Sequence, residues 1–470
     1  LRDGVLPPTV NVDPGLVLTR DIVPNFGREQ QPLRVVVSNS FAFGGNNCSL
    51  VLGVEPSAAP ESPSRRVVLT GAGVVSPLAT GHAEFLDAVA AGRTAVGDAQ
   101  AADRSLSRTG LAAEIRDESY RRFIDRGYVR RLDQLGLLVL ASCRMALGDA
   151  GVTVSRVGAE RVGMVFGTFT GPLETVAALT TTIGTQGPNK VNPRLFPNSV
   201  MNAAVGHACL SLQVKGPLST LASGCASGLT ALGYATDLVR DGEAEVMLAV
   251  SADEFTPLLH FGFDRLGLLA TKPGAPYSRA ASGAVLGAGG AALVVESLEH
   301  ATARGATILA EVTGHAVTAD AYRVAGNEPS GAAWAESFRC ALREAGRTPG
   351  DVAAVYGDAR GTATLDLAEA RAIRAVWPAG IRLANLVPQT GHVHSTTALL
   401  SAVCAARTCA TGWVPPVVGL TDRHDELSGI DTAGQPGTGA PGGSCLVTAA
   451  NWGGTYASAV LSPYQEATPC

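Results

Sequence analysis

Paired cysteine motifs are absent from this sequence. Its nine cysteines are odd in number and scattered over 470 residues, and none stands in a Cys-x-x-Cys motif. This pattern argues against a disulfide framework and against a structural zinc site, and it favours reduced thiols in a cytoplasmic protein. The sequence also has no apolar run of the roughly 18–20 residues that a membrane-spanning helix needs, and no secretory signal at its N-terminus. We therefore expect a cytoplasmic protein with no membrane partner.

Charged residues are few as well. They make up 16 % of the chain and leave a formal net charge of −5, which disfavours nucleic acid as the main partner. The glycine-rich turn Gly71-Ala72-Gly73 lacks the further glycine and the acidic residue of a dinucleotide-binding fingerprint. We predict no cofactor and no metal. Hydrophobic residues, at 46 %, are plentiful enough for a chain of this length to bury large cores.

One C-terminal element occurs twice in the chain. Pro7-Pro8 precedes a strand-like run that leads into Asn39-Ser40-Phe41-Ala42-Phe43-Gly44-Gly45. Pro415-Pro416 precedes a similar run that leads into Asn451-Trp452-Gly453-Gly454. A repeat of this kind predicts two related modules.

The repeat also predicts where the modules begin and end. A Pro/Ser/Ala/Glu-rich stretch at 55–64 is typical of a linker. We predict that 1–54 is the C-terminal remnant of an upstream module and that 65–463 is a complete second module. The absence of an initiator methionine at Leu1 agrees with a missing upstream part. The alternative is that 1–54 forms an extra β-hairpin of a single domain.

Strand-like and helix-like segments alternate in the second module. Val/Leu/Ala-rich runs, which indicate strands buried on both faces, lie at 66–71, 162–168, 245–251, 290–296, 308–314, 353–356, 445–450 and 457–461. Helical patterns lie at 80–91, 131–151, 226–240, 331–346, 364–376 and 395–409. Strands that alternate with crossover helices imply an α/β fold with mostly parallel sheets.

The stretch 221–230, Leu-Ala-Ser-Gly-Cys-Ala-Ser-Gly-Leu-Thr, places a thiol where an apolar strand turns into a helix. Cys225 would lie on the first helical turn, where free N–H groups and the helix dipole lower the pKa of a thiol and favour the nucleophilic thiolate. Its small neighbours allow a tight turn and leave room for an acyl group. The alternative is a buried structural cysteine at a strand–helix joint.

The second module resembles the β-ketoacyl-ACP synthases of the elongating, thiolase-fold type. The resemblance rests on 66–77, on 196–217, on Cys225-Ala226-Ser227-Gly228, on 298–306 and on Gly391-His392. These strings occur in the family's order along the chain. The Asn39–Gly45 string similarly resembles the family's closing Gly-Phe-Gly-Gly loop.

The resemblance implies both a fold and partners. The implied fold is α/β and thiolase-like, with two βαβαβαββ halves, 65–310 and 311–463, in an αβαβα five-layer sandwich. It implies a homodimer, or a heterodimer with another ketosynthase module. It also implies an acyl carrier protein that delivers acyl and malonyl groups on phosphopantetheine. An arginine-rich segment at 121–131 would suit the acidic surface of such a carrier.

The family's chemistry, carried over by resemblance, assigns roles to individual residues. A cysteine thiolate takes the acyl chain as a thioester, malonyl-ACP loses CO₂, and the resulting enolate attacks the thioester. Two histidines donate hydrogen bonds to the enolate oxygen. The resemblance thus makes Cys225 and His392 catalytic. Thr390 and the loop Trp452-Gly453-Gly454 would line the substrate pocket, and Trp452 replaces the family's gating phenylalanine.

The sequence departs from the family at two catalytic positions. Arg360 stands at the position of the first histidine, and Val387 stands at that of the lysine. A guanidinium with a fixed charge would not reproduce a neutral imidazole, although it would suit a malonate carboxylate. Val387 would leave the motif's carboxylate, Asp366 or Glu369, uncompensated. His394 stands close to His392 in sequence, but we expect it to face away.

These departures predict that the module does not condense malonyl-ACP by itself. The first hypothesis is a non-condensing partner that resembles the chain-length factors of type II polyketide systems and pairs with a competent ketosynthase. Chain-length factors usually lack the cysteine, so its retention supports a second hypothesis, a Cys225/His392 acyltransferase or thioesterase that acts on acyl-ACP. An active 3-oxoacyl-ACP synthase and a purely scaffolding protein are further alternatives.

Overall fold

The computed structural model describes residues 5–6, 9, 11, 28–29, 33–42, 47–55, 64–103, 105–437 and 442–465. The chain divides into two compact units, Leu1–Pro63 and Ser64–Cys470. Three features predicted from the sequence lie outside the described residues: Pro7-Pro8, Gly44-Gly45 and residues 56–63 of the linker.

Strands and helices alternate through most of the second unit. The strands are β1 Val5–Leu6, β2 Arg28–Glu29, β3 Val35–Phe41, β4 Asn47–Gly53, β5 Val67–Val75, β6 Gly97–Asp98, β7 Leu111–Ala112, β8 Val162–Gly167, β9 Leu218–Leu221, β10 Val246–Asp253, β11 Gly289–Ser297, β12 Ala310–Ala319, β13 Val352–Tyr356, β14 Arg382–Ala384, β15 Ser444–Ala450 and β16 Thr455–Ser462. The α-helices are α1 His82–Ala90, α2 Arg126–Val129, α3 Gln134–Ala150, α4 Val154–Val157, α5 Leu173–Gln186, α6 Ala203–Leu212, α7 Ser227–Arg240, α8 Pro257–Arg265, α9 Leu298–Ala303, α10 Ala332–Glu344, α11 Ala363–Val376, α12 Val387–Thr390 and α13 Thr397–Thr411.

In the first unit, β3 and β4 form an antiparallel hairpin that pairs Val35 with Gly53 and Phe41 with Asn47. Apolar side chains are exposed on it, including Phe41 at 76 % and Val51 at 63 %. A two-stranded hairpin of this kind has little core of its own. Its assignment to an upstream module remains a prediction.

The second unit contains a ten-stranded sheet whose order shows an internal duplication. The order is β14-β13-β15-β16-β12-β5-β11-β10-β8-β9. The strands of each half can be numbered by their order along the chain, from β5 to β11 without the short β6 and β7 in the first half and from β12 to β16 in the second. From the centre of the sheet outward, both halves then have the same order: first, fifth, fourth, second and third strand. The two first strands join the halves, because Ala310 pairs with Leu69 and Glu311 with Val68. The long helix between the third and fourth strands is therefore α7 in one half and α13, which follows the short α12, in the other.

Three hydrophobic cores explain the layers. In the first half, successive side chains of a β-strand point to opposite faces of the sheet. One face, which includes Leu248, packs into a core under α3 and α6, and the other face, which includes Ala249, packs into a central core. In the second half, the strand side chains alternate between the same central core and a third core under α10 and α11. The central core also contains Leu232 of α7 and Leu399 of α13. The strands are thus buried on both faces, and helices α7 and α13 form the middle of five layers.

The predicted α/β architecture with two βαβαβαββ halves is confirmed, and so are all eight predicted strands and six predicted helices. The prediction of mostly parallel sheets is wrong. In each half the last strand, β11 or β16, runs antiparallel to both of its neighbours, so the sheet is mixed. Strand β14 was not predicted, and β9 was expected only as the strand before Cys225, without bounds, because three and four residues carry too little periodicity. Among the described residues, no helix combines the length and apolar character that a membrane span requires.

Candidate active site

Cys225 lies at the predicted junction between a strand and a helix. Strand β9 ends at Leu221, a short 3-10 turn covers Gly224–Ala226, and α7 follows at once. The turn needs a glycine, because Gly224 has a φ of 71°, in the left-handed region. The Cys225 side chain is only 1 % exposed. The thiol therefore faces the interior, where residues of the second half meet it.

The protonation state of this thiol differs from the sequence-based expectation. Burial raises the pKa of Cys225 to about 12, the Arg360 guanidinium opposes the rise, and the nearby Asp358 and Asp253 carboxylates add to it. The prediction that the helix start lowers the pKa is therefore wrong, because desolvation outweighs the favourable charges. Cys225 is a neutral thiol at pH 7, which is a weak nucleophile.

His392 lies where the resemblance placed it. Its backbone is fixed to the first half, because its N–H donates to Val285 O at 2.7 Å and the Gly287 N–H donates to its carbonyl at 2.9 Å. The ring is fully buried, and neither ring nitrogen has a hydrogen-bond partner among the described residues. Burial lowers the pKa of His392 to about 4, helped by Arg360 and opposed by Asp358. The imidazole is therefore neutral.

The prediction that His394 faces away is wrong. A φ of 41° turns the chain at His394 and directs its ring inward, where it is 1 % exposed and stacks on Phe169 with ring centroids 4.8 Å apart. The His392 and His394 rings meet edge to face at 5.3 Å. One ring nitrogen of each and Cys225 Sγ all lie within 4.8 Å of one another. Burial, with His392 and Arg360, holds the pKa of His394 well below its ordinary value.

Asp253, at the end of β10, fixes the turn that carries His394. It accepts hydrogen bonds from the Ser395 N–H and from the Phe169 N–H, each at 2.8 Å, and from the Thr168 hydroxyl at 3.1 Å. Burial raises the pKa of Asp253 to about 6, although these donors favour the carboxylate. One buried carboxyl group therefore positions both the His394 turn and the ring on which His394 stacks.

Arg360 is fully buried at the centre of the site. Its Nη2 donates to Asp358 Oδ2 at 2.6 Å and to the carbonyl of Ala450, and its Nη1 donates to Cys225 Sγ at 3.5 Å. Its guanidinium also lies over the Trp452 ring, 4.7 Å from the centroid. Burial alone would raise the pKa of Asp358, but Arg360 holds it below its ordinary value. The arginine is thus paired with a carboxylate of its own chain.

The motif's other carboxylates hold the Arg360 loop in place. Asp366 accepts the backbone N–H groups of Arg360 and Gly361, and Glu369 accepts those of Asp358 and Ala359. Backbone donors thus satisfy both groups, but burial still raises the pKa of Asp366 to about 6 and that of Glu369 to about 8. That Val387 leaves such a carboxylate without a compensating cation therefore stays a prediction.

Val387 opens α12 and is itself buried. It lines a cavity of about 380 Å³ together with Arg360, Pro276, Val285 and Pro388. The two positions that depart from the family motif therefore share one cavity, and Cys225 is not among the residues that line it.

The loop that connects β15 to β16 covers the site. Trp452 packs edge-on against Phe263, with centroids 5.4 Å apart, and Gly453 and Gly454 complete the turn. Thr390, whose hydroxyl donates to Leu386 O and Gly391 O, is fully buried. The role of these four residues in lining a substrate pocket remains a prediction.

In the described part of the chain, two side-chain clusters have the geometry of metal ligands. The first is Cys225, His392 and His394, a soft set of the kind that zinc prefers. The Arg360 guanidinium, 3.5 Å from Cys225 Sγ, would repel a dication there. The second is Asp237, His315 and Glu344, whose carboxylates both pair with Arg240. We assign a metal to neither cluster.

Comparison with known proteins identifies the family. The model for the β-ketoacyl synthase N-terminal domain matches residues 64–301, and that for the C-terminal domain matches residues 309–421. The chain belongs to the β-ketoacyl synthase family. A curated relative, 3-oxoacyl-[acyl-carrier-protein] synthase 2 of Coxiella burnetii, is 30 % identical over 408 residues, which are 85 % of this chain and 98 % of the relative. The enzyme of the same name from Vibrio cholerae is 30 % identical over 380 residues, 78 % of this chain and 91 % of its own.

Solved structures of β-ketoacyl synthases agree with the fold. The ishigamide ketosynthase/chain length factor superposes with a TM-score of 0.80 at 26 % identity, over 86 % of this chain and all of that one. A type II polyketide synthase acyl-carrier protein in complex with its ketosynthase bound to a hexaketide gives 0.78 at 25 % identity, over 85 % and 100 %. The predicted family and its thiolase-like fold are confirmed.

Three residues of the site escaped sequence analysis. Asp253 and Phe169 stand in no motif string, and only their contacts reveal that they position His394. Asn451 was noted as part of a loop, but its side-chain contact with Cys225 was not foreseen. For Asn451 the sequence did contain a signal, because this polar residue stands where the family's Gly-Phe-Gly-Gly loop has its first glycine.

Proposed function

We propose that residues 65–463 act as a non-condensing partner of a competent ketosynthase, in the manner of a chain-length factor of polyketide or fatty acid biosynthesis. The observation that carries this proposal is Arg360. A buried guanidinium, paired with Asp358, stands where the family's first histidine would donate to an enolate.

Condensation needs free hydrogen-bond donors where negative charge develops. The Arg360 N–H groups already donate to Asp358, to Ala450 O and to Cys225 Sγ. Releasing them would break a buried ion pair, which leaves an uncompensated charge in the interior. The neutral Cys225 thiol is also a weak nucleophile toward an acyl thioester. Both observations support a module that shapes a site without turning over malonyl-ACP.

A partner surface is available at the edge of the sheet. Strand β9 stands at one end of the strand order, so one of its edges pairs with no other strand among the residues that the structure describes. The segment before β9 exposes large apolar side chains, with Phe196 at 69 % and Leu210 at 62 %. An unpaired edge beside apolar surface favours association with another subunit. We assign this face to a second ketosynthase subunit.

The acyl chain would arrive on an acyl carrier protein. Several arginines of the 121–131 segment are exposed, and they would meet the acidic surface of such a carrier: Arg122, Arg126, Arg130 and Arg131. The carrier protein in one structural neighbour's complex is consistent with this partner.

The test is a reconstitution with acyl-ACP and malonyl-ACP, followed by mass spectrometry of carrier-bound products. The protein alone should give no elongated chain. With a ketosynthase from the same biosynthetic system it should change the distribution of chain lengths, and Cys225→Ala should give the same distribution as wild type. Elongation by the protein alone would overturn the proposal, as would an unchanged distribution in the mixture.

A second candidate function is acyl transfer or thioester hydrolysis at Cys225. Its support is the pair of neutral imidazoles, because His392 and His394 each place a ring nitrogen within 4.8 Å of Cys225 Sγ. Either ring would accept the thiol proton during attack on an acyl thioester. Mass-detected acylation of Cys225 by acyl-ACP, lost in His392→Ala or His394→Ala, would favour this function over a purely structural partner.

A further inference from the structure

The side-chain carboxamide of Asn451 forms a hydrogen bond with the backbone of Cys225. The Cys225 N–H donates to Asn451 Oδ1 at 3.2 Å, across 226 positions of the sequence. Asn451 comes directly after β15 and is only partly exposed. A carbonyl oxygen of the protein itself is therefore hydrogen-bonded to the amide of the candidate nucleophile.

The position of Asn451 is fixed on both sides. Its own N–H donates to Thr455 O at 2.7 Å, and its carbonyl accepts from Asn327 Nδ2 at 2.8 Å. The preceding residue, Ala450, donates its N–H to Asp358 Oδ2 at 2.9 Å and accepts from Arg360. The buried Asp358–Arg360 pair therefore anchors the backbone that carries Asn451.

The backbone beside Cys225 is shaped to receive this amide. A Cβ atom at Gly224 would lie 2.0 Å from Asn451 Oδ1 and 2.2 Å from its Cγ. Only a residue without a side chain allows the carboxamide to come this close. The contact thus depends on two residues, Gly224 and Asn451, that fit each other.

The amide of a nucleophilic residue is a common donor to the oxyanion of acyl transfer. During transfer, Cys225 Sγ forms a bond to the acyl carbonyl carbon, the bond from that carbon to the carrier sulfur breaks, and the thiol proton passes to the departing carrier thiolate. Between these events the carbonyl oxygen carries negative charge and needs an N–H group. In this chain, Asn451 Oδ1 occupies the Cys225 N–H.

We infer that Asn451 is a positioning residue that keeps Cys225 unacylated, because its carboxamide oxygen occupies the place of a thioester carbonyl oxygen. This inference rests on the proposed function, and it explains how a retained cysteine is compatible with a non-condensing module. The carbonyl oxygen of an acyl group would replace Asn451 Oδ1 as acceptor of the Cys225 N–H only if the side chain of Asn451 moved or were removed.

The test compares wild type with Asn451→Ala, which frees the N–H, and with Asn451→Asp, which keeps an oxygen acceptor of the same size. Each full-length protein is incubated with acyl-ACP, and acylation of Cys225 is followed by peptide mass spectrometry. Removing one oxyanion donor slows acyl transfer by roughly 100- to 1,000-fold in other enzymes, so we expect a gain of about 100-fold in Asn451→Ala. Asn451→Asp should remain at the wild-type rate.

Alkylation of Cys225 by iodoacetamide is the control reaction, because displacement of iodide creates no oxyanion. We expect Asn451→Ala to change its rate by less than about 3-fold if the amide alone decides acylation. Equal gains in both reactions would show that Asn451 only covers the thiol, and no gain in acylation by a folded Asn451→Ala protein would also overturn the inference. Elongation of malonyl-ACP by wild type would instead refute the proposed function, so the two failures are distinguishable.

Discussion

Replacing Arg360 by methionine tests whether its charge is fixed by Asp358. The pair is buried on both sides, with N–O separation of 2.6 Å. Removing one partner of a buried ion pair leaves the other charge uncompensated, which destabilises a protein by about 3–5 kcal/mol. We therefore expect Arg360→Met to lower the free energy of unfolding by about that amount at pH 7.

The double variant Asp358→Asn/Arg360→Met provides the matched control. It removes both charges, so it should be at least about 2 kcal/mol more stable than Arg360→Met alone. All four tryptophans lie at or beyond residue 334, so tryptophan fluorescence during denaturant unfolding reports on the second unit.

The stability difference between wild type and Arg360→Met should also change with pH in a defined direction. In wild type the pKa of Asp358 is below its ordinary value, so the pair adds stability above the unfolded pKa and loses it as pH falls through the folded pKa. Without Arg360, burial raises this pKa, so Asp358 destabilises the variant at neutral pH and less so as it takes up a proton. The stability gap between wild type and Arg360→Met should therefore narrow from pH 7 toward pH 4. A variant within about 1 kcal/mol of wild type, or a gap that does not change with pH, would refute the reasoning.

Other predictions concern the thiol and the two surfaces. Because burial raises the pKa of Cys225 to about 12, its alkylation by iodoacetamide should rise about tenfold per pH unit from pH 7 to 10, and a plateau near pH 8 would contradict a neutral thiol. Phe196→Asp with Leu210→Ser should weaken association with a ketosynthase in analytical ultracentrifugation while leaving tryptophan fluorescence unchanged, because both side chains are exposed; undiminished association would exclude this face. Charge reversal at Arg130 and Arg131 should weaken binding of an acyl carrier protein mainly at low salt, and affinity unchanged at low ionic strength would exclude that docking site.

The sequence was informative where the pattern of residue types by itself determines the local structure. Buried strands recur with crossover helices between them, and that order predicts the duplicated fold. The small residues around Cys225 predict a strand, a tight turn and a helix, and the structure has all three. Motif strings likewise place Arg360 and His392 at one site, because each lies at a fixed position beside glycine and threonine.

The sequence failed where distant segments decide the outcome. The pKa of Cys225 depends on burial by the Arg360 and Asn451 segments, which follow it by more than one hundred residues in the chain, so a local helix-start argument gave the wrong direction. His394 points inward only because its backbone is left-handed and Asp253 holds the next residue. Neither a positive φ at histidine nor that contact can be read from the string around it.

The measurement that tests the account most directly is single-turnover decarboxylation of malonyl-ACP by the protein alone, followed as release of labelled CO₂. The reaction converts malonyl-ACP to CO₂ and an enolate that takes up a proton as acetyl-ACP, so it needs no acyl chain on Cys225. With Arg360 held by Asp358, the account predicts no release above that of buffer. Release that disappears in His392→Ala or His394→Ala would contradict it, because the two imidazoles would then stabilise the enolate without the missing histidine.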